Sequence, residues 1–495
     1  MNANDKVDVC LILEGSYPYV AGGVSTWTHD MILQNSHLKF HVVSILARDD
    51  KPKLRYELPK NVTGTTTIHL QHMPVGGTIP PYKAEKMFEN IRNPLIHMTT
   101  GKASLRDLRQ IMEAVAPYEG KLGSKMLLDS EEAWNLTVSM YEASFSQSSL
   151  LDYFWSWRSI VAGLYSLMIA DLPQARCYHA LSTGYAGILG AYAKIKTGRP
   201  LILTEHGIYT NERRIEIAAA NWLEETASQA MTIDRTRFNL RDLWNETFTN
   251  YSRICYQACD HIITLFGGNQ EAQIMDGGDP AKMRIVPNGV DVELYGSLGH
   301  KDHPNPTVAF IGRVVPIKDV KNFLRAMAAL SRSIPDLKVL LMGPTDEDPD
   351  YYEECKNIVE YFALDKIVTF TGRVDIKRYL PEIDVLVSSS ISEAQPLSIL
   401  EVGANGIPTV ATDVGACREI LLGKDDENPA LGAGGVVVSP SNPQALAEGV
   451  FSLLTDEAFY EKCSNAIRTR VLTYYNKQSQ YVAYKDIYDS CRKKG

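Results

Sequence analysis

The chain of 495 residues has no apolar run long enough to cross a bilayer, no pair of Cys-x-x-Cys motifs, no excess of basic residues and no G-x-G-x-x-G turn. Each lack excludes something. The best membrane candidate, residues 160–170, falls well short of the ~20 apolar residues a spanning helix needs. Eight scattered cysteines suggest neither a disulfide framework nor a zinc site, and Cys255 and Cys259, which share a helical face, read as core. A formal charge of -9 argues against nucleic acid as a partner. Without the dinucleotide fingerprint a nicotinamide cofactor is not indicated. The first residues lack the basic-then-apolar pattern of a secretory signal, so the expectation is a cytoplasmic chain with no transmembrane segment.

What is present is an α/β alternation. Residues 7–13 form a continuous apolar run, as in a parallel strand covered on both faces. The run ends in a loop containing Gly22 and Gly23, after which Val24, Trp27 and Met31 repeat at helical spacing. Paired glycines let a backbone approach a ligand closely, although they are also ordinary loop residues. Residues 40–46 and 66–69 read as further strands. Residues 80–172 read as a helical insertion whose aromatic stripe, including Tyr153, Trp157, Val161 and Leu164, is of the kind that usually faces a core and less often a partner or membrane surface. Strands resume at 177–180 and 200–203. Thr204-Glu205-His206 follows, placing His206 at a strand's carboxyl end, where open α/β sheets bind ligands. A charged loop over 212–216 comes next, then a helical pattern over 222–258 and a strand at 261–265. The polar stretch 297–306 reads as a linker.

Beyond it the alternation restarts, with strands at 307–311, 337–342, 367–370, 383–387, 408–411 and 435–438. The loops after these strands carry Arg313 and Lys318, Gly343, Arg373 and Val374, and the pair Glu393 and Glu401. Arginine offers a bidentate fork to phosphate and lysine a point charge. Residues 388–406 read as a serine-rich turn entering a helix with Pro396 at its first position, Leu397 and Ser398 in the first turn and Glu401 about a turn inside. First-turn amides have no helical acceptor and lie at the positive end of the dipole, so they suit an anion. Flanking carboxylates accept hydrogen bonds from sugar hydroxyls. Two glutamates eight apart are ordinarily solvated surface residues; together with the other loops they match a nucleotide sugar.

Arg313 and Lys318 followed by Glu393 and Glu401 resemble the donor site of the GT4 family of retaining glycosyltransferases. Residues 13–25, 204–210, 312–319 and 390–396 are similar, within that family, to the cytosolic transferases of bacterial Pel exopolysaccharide synthesis. The resemblance implies a GT-B fold of two facing Rossmann-like βα domains, the first over 1–300 with the insertion at about 80–172 and the second, donor domain over 301–477. Residues 478–495 would form a helix crossing back to the first domain. It implies a UDP-sugar donor (UDP-glucose, UDP-N-acetylglucosamine or UDP-N-acetylgalactosamine), a polysaccharide acceptor, inner-membrane Pel synthesis proteins as partners, and no cofactor or metal. By that resemblance Arg313 and Lys318 bind the diphosphate, Glu393 the hexose, Glu401 the ribose and the backbone near Val374 the base. His206, Gly22 and Gly23 complete the donor site, and Glu212, Arg213 and Arg214 are acceptor-side candidates. Two departures bear on the phosphates: Pro396 removes an amide donor, and Asp319 stands where the family usually has glycine. A sugar-nucleotide epimerase or a non-catalytic nucleotide-sugar sensor of the same fold remains as an alternative.

Overall fold

Runs of apolar residues with no polar alternation need cover on both faces, and the strands they form here lie in two parallel sheets flanked by helices. The computed structural model describes residues 7–47, 53–146, 149–219, 239–301 and 303–494. The first sheet comprises β1 (Val7–Glu14), β2 (Phe40–Leu46), β3 (Val62–His69), β4 (Ala175–Ala180), β5 (Leu201–Glu205), β6 (His261–Thr264) and β7 (Met283–Ile285). Their order is β3-β2-β1-β4-β5-β6-β7. The second sheet comprises β8 (Thr307–Ile311), β9 (Lys338–Met342), β10 (Val368–Gly372), β11 (Val385–Ser388), β12 (Thr409–Thr412) and β13 (Gly435–Val438), in the order β10-β9-β8-β11-β12-β13. In each sheet the winding direction reverses once, between β1 and β4 and between β8 and β11. Loops leave such a reversal in opposite directions and open a crevice beyond the strands' carboxyl ends.

Between β3 and β4 lies a set of helices, among them Pro81–Thr99, Leu105–Val115, Glu131–Ser144 and Leu150–Ile169. The stripe on the last of these turns inward: Tyr153, Trp157, Ile160, Val161, Leu164 and Leu167 are buried in the core that also holds Ile12 and Val43 of the first sheet. Among the described residues no helix is long and apolar enough to cross a membrane. Leu240–Ala258 is helical, started by a reciprocal cap between Asn239 and Asp242; residues 222–238 of the expected helix lie outside the described residues.

The chain forms two compact units, Met1–Thr264 with Gln270–Arg284 and the residues from Tyr484 on, and Leu265–Asn269 with Ile285–Ala483. The polar stretch 297–306 therefore lies within the second unit and is not the linker its composition suggested. The reason is packing: Val290 is buried with Ile399, Val402 and Ala404, and Val292, Tyr295 and Leu298 lie against the same core. The last helix, Lys477–Lys494, supplies Tyr484 and Tyr488 to the first unit. Both tyrosines are buried there, Tyr484 with its hydroxyl 3.0 Å from Thr204 Oγ1 and Tyr488 with its hydroxyl 2.9 Å from His179 Nδ1.

Candidate functional site

In the second unit the reversal between β8 and β11 gathers most of the residues expected to bind a donor. Three strand ends meet first. The amide of Gly312 donates to the Met342 carbonyl at 2.9 Å, and the amide of Gly343 donates to the Gly372 carbonyl at 3.0 Å. Gly343 has φ +154, and a Cβ there would sit 1.9 Å from the Gly312 carbonyl oxygen, so only glycine lets these loops lie this close. Beside them opens a pocket of about 220 Å³ lined by Gly312, Arg313, Gly343, Arg373, Val374 and neighbouring apolar side chains. Arg313 is half-exposed, and its Nη1 donates to Glu347 Oε2 at 2.7 Å.

On the other side of the reversal, Lys318 Nζ forms an ion pair with Glu393 Oε2, and the Ser390 hydroxyl donates to the same oxygen at 3.2 Å. Backbone packing fixes the pair. Ser389 Oγ donates to the carbonyls of Lys318 and Asp319 at 2.9 and 3.1 Å, and Thr412 Oγ1 donates to the Ser390 carbonyl at 2.6 Å. Gly415, at φ +53, lets the next loop press on this turn, since a Cβ there would lie 2.0 Å from the Glu393 carbonyl oxygen. Asp319 adopts φ 47 and ψ 49, the left-handed region that favours glycine, so the departure from the family pattern falls on a strained position.

The helix Leu397–Ala404 starts one residue later than its sequence suggested: Pro396 is the N-cap, with ψ 111, and Leu397 is the first helical residue. Its extended ψ explains the shift, because Pro396 closes the loop and does not begin the turn. Leu397 and Ser398 remain in the first turn, and the Ile399 amide donates back to the Pro396 carbonyl at 3.2 Å. Glu401 accepts a hydrogen bond from the Tyr295 hydroxyl at 3.0 Å. Burial pushes the Glu401 carboxyl up to about 7, against the smaller downward pull of that hydrogen bond and of Lys477. Nothing in the sequence near residue 295 announced this partner, which lies 106 positions away.

The expected residues of the first unit are distributed differently. Gly22 caps and Gly23 opens the helix Gly23–Gln34; both are exposed, and a Cβ on either would meet open space, so neither is required by the unit's own packing. His206 follows β5 with its ring 4.9 Å from that of Trp27, and its buried Nε2 has no hydrogen-bond partner among the described residues. Burial lowers its pKa to about 4, so the imidazole is neutral at pH 7. Residues 212–216, expected as a loop, belong to the helix Tyr209–Ala219. Arg213 is held within it: Nη2 donates to Glu14 Oε1 at 3.0 Å, Nη1 donates to Glu216 Oε2 at 2.6 Å, and the guanidinium lies 4.9 Å from the Tyr209 ring centroid. Glu212 and Arg214 are exposed, and Arg214 Nη1 donates to Asn211 Oδ1 at 3.2 Å.

Two strand-end carboxylates escaped the sequence reading. Glu14 accepts from the Tyr185 amide, the Tyr209 hydroxyl and Arg213 at 2.9, 2.9 and 3.0 Å. Glu205 is buried and accepts from the Tyr256 hydroxyl at 2.6 Å, Gln273 Nε2 at 2.8 Å, Thr183 Oγ1 at 3.2 Å and the Tyr209 amide at 3.5 Å. Burial raises Glu205 to about 7. The signal that could have found both is a carboxylate ending an apolar run.

Two parallel, helix-flanked sheets with one reversal each define a GT-B-like double Rossmann fold. The chain belongs to the family described as Domain of unknown function (DUF3492), whose model matches residues 7–281, while residues 305–456 match the model described as Glycosyl transferases group 1. It is 26% identical over 261 residues to a D-inositol 3-phosphate glycosyltransferase of Corynebacterium glutamicum, an alignment covering 48% of this chain and 60% of that relative. The chain thus spans about three fifths of that curated relative's length. Among solved structures, a sucrose-phosphate synthase from Thermosynechococcus elongatus shares the fold with TM-score 0.57 and 18% identity, covering 98% of this chain and 100% of that one. Anabaena HepE, solved with UDP and glucose, aligns with TM-score 0.57 and 15% identity over 98% of this chain and 100% of that one.

Proposed function

We propose that the protein is a retaining glycosyltransferase that moves a hexose from a UDP-sugar to a polysaccharide acceptor. The observation that carries this reading is the cluster at the reversal of the second sheet: Lys318 paired with Glu393, Arg313 beside a pocket, and the first turn of Leu397–Ala404 leading to Glu401. Homology to group 1, or GT4, glycosyltransferases supports it.

Cleavage of the anomeric C–O bond leaves a diphosphate whose negative charge grows in the transition state. Lys318, Arg313 and the amides of Leu397 and Ser398 are pre-placed donors for that charge, so they act where charge develops and lower the barrier. The acceptor hydroxyl attacks from the face the diphosphate leaves, forming the new C–O bond with retention. Its proton passes to a departing phosphate oxygen, which balances the step without a protein base. In this scheme Glu393 exchanges its contacts with Lys318 and Ser390 for hydroxyls of the hexose, and Glu401 accepts from the ribose. Gly343, Arg373 and Val374 form the wall suited to the base. His206 is neutral, so once its buried Nε2 is uncovered it can hydrogen-bond a sugar hydroxyl without introducing charge. Glu212 and Arg214 are the exposed acceptor-side candidates, whereas Arg213 braces Glu14.

Within this class the motif segments of the sequence favour PelF, the transferase of Pel exopolysaccharide synthesis. That reading brings UDP-glucose, UDP-N-acetylglucosamine or UDP-N-acetylgalactosamine as donor, a cytoplasmic location at the inner face of the membrane, and membrane-bound synthesis proteins as partners. The test is to incubate the full chain with each UDP-sugar and N-acetylhexosamine oligosaccharides, following UDP release and the anomeric configuration of product by NMR. UDP release that needs acceptor and yields an α-linked product is expected. Interconversion of donor sugars without UDP release would make the protein an epimerase, and binding without turnover would make it a sensor.

A further inference from the structure

The polar stretch before β8 carries chemistry that sugar transfer does not use. His300 and His303 lie there, and Asp384 immediately precedes β11. His300 Nε2 is 3.7 Å and His303 Nε2 3.6 Å from the same oxygen, Asp384 Oδ1, and one ligand atom from each residue lies within 4.8 Å of the others. The two imidazole rings are 5.2 Å apart between centroids.

Three details separate this group from a chance cluster. First, His303 Nδ1 is 2.8 Å from the Asn305 carbonyl oxygen; a carbonyl only accepts, so Nδ1 carries the proton and Nε2 presents a lone pair. That is the tautomer a metal ligand needs. Secondly, this Nε2 is buried and has no hydrogen-bond partner among the described residues, a condition buried polar atoms seldom tolerate. Thirdly, Asp384 Oδ2 accepts from the Thr307 amide at 2.7 Å, which orients the carboxylate and leaves Oδ1 turned to both histidines. The Asp384 carbonyl is held as well, by the Tyr460 hydroxyl at 3.1 Å. His300 is the exposed member and can adjust.

We propose that His300, His303 and Asp384 form a binding site for a divalent transition-metal ion of the zinc, cobalt or nickel type. Two imidazoles and a carboxylate suit these ions better than calcium or magnesium, which prefer oxygen ligands. In a tetrahedral zinc site with bonds of about 2.0–2.1 Å, neighbouring donor atoms stand roughly 3.3 Å apart, so the two spacings to Asp384 need only a small contraction, and exposed His300 can supply any further closure. Water would complete the shell from the exposed side of His300. The ion would bridge the entry to β8 with the entry to β11, pinning the connecting stretch to the sheet. These are the amino ends of the two strands whose carboxyl ends carry the proposed donor site. Five residues of strand separate the two places by about 15 Å. The ion would hold structure and take no part in sugar transfer.

The test uses the full, untagged chain stripped of metal and titrated with Co²⁺, read by its visible d–d absorption and by metal content after dialysis. One bound ion per chain with a tetrahedral or five-coordinate spectrum is expected, displaced by Zn²⁺. His300→Ala, whose side chain is about half-exposed and whose loss should leave the fold intact, should weaken binding on the order of 10–100-fold or more, as should His303→Ala. His72→Ala, elsewhere in the chain, should bind Co²⁺ as the parent does. Failure of the parent chain to retain Co²⁺, or retention unchanged in both His300→Ala and His303→Ala, would overturn the assignment. UDP-sugar turnover is not a readout here, so the outcome is independent of the proposed transferase reaction.

Discussion

The two sheets share one winding pattern, yet their strand-end charges are treated in opposite ways. At the first sheet Glu14 accepts from at least three protein donors and Glu205 from four among the described residues, and Arg213 is clasped between two carboxylates and an aromatic ring. At the second sheet Lys318 and Glu393 rely chiefly on each other, Arg313 leans on the surface residue Glu347, and a pocket opens alongside. Charge at the carboxyl end of a strand therefore does not by itself mark a ligand site. A charge whose partners are saturated holds the fold together, whereas one with few, exchangeable partners is open to exchange with a ligand.

The contrast predicts that variants at the two sheets fail differently. Glu393→Ala should reduce kcat by about 10³-fold or more while leaving the denaturant midpoint nearly unchanged, because its loss removes the group proposed to hold the hexose and strips few internal donors. Glu205→Ala should do the reverse, costing about 3 kcal/mol of stability in urea unfolding, since four donors lose a buried acceptor together. If Glu205→Ala is as stable as the parent, saturation is not the property that separates the sheets.

A smaller effect concerns pH. Burial holds the Glu401 carboxyl near 7, above its ordinary value, so the group on its own favours the folded state at low pH and this contribution is lost as pH rises through about 7. In the proposed donor complex ribose hydroxyls donate to the ionised form, so donor binding should expel a proton. UDP-sugar affinity should then rise by about tenfold between about pH 5.5 and 7.5 and flatten above, and Glu401→Gln should abolish that slope. An unchanged slope in the variant would remove Glu401 from the ribose. Smallest of all, Glu347→Ala should change UDP affinity by less than about threefold, because an exposed ion pair contributes only ~0–1 kcal/mol and its loss merely frees Arg313.

Much of this was legible in the sequence, for a physical reason. Strands covered on both faces must be uninterrupted apolar runs, and a Gly or charged residue just after one marks the loop at its carboxyl end. The inner strands of both parallel sheets and the grouping of Arg313, Lys318, Glu393 and Glu401 in one unit follow from that, whereas the polar edge strand β3 and the short β7 do not. What escaped depends on contacts between distant positions. Tyr295 meets Glu401 only because 290–298 folds onto the second core, and Arg213 is occupied only because Glu14, 199 positions earlier, ends beside it. The same folding carries His300 and His303 to Asp384, where composition alone suggested a linker.

The strand-end charges of the second sheet are proposed to hold a nucleotide diphosphate. Titration calorimetry of the parent chain against UDP, ADP and GDP, repeated with Lys318→Ala, tests it most directly. UDP should bind in preference to the purine nucleotides, and Lys318→Ala should lose most of that affinity. Binding of none of the three, or UDP binding as tight in Lys318→Ala as in the parent, would contradict it.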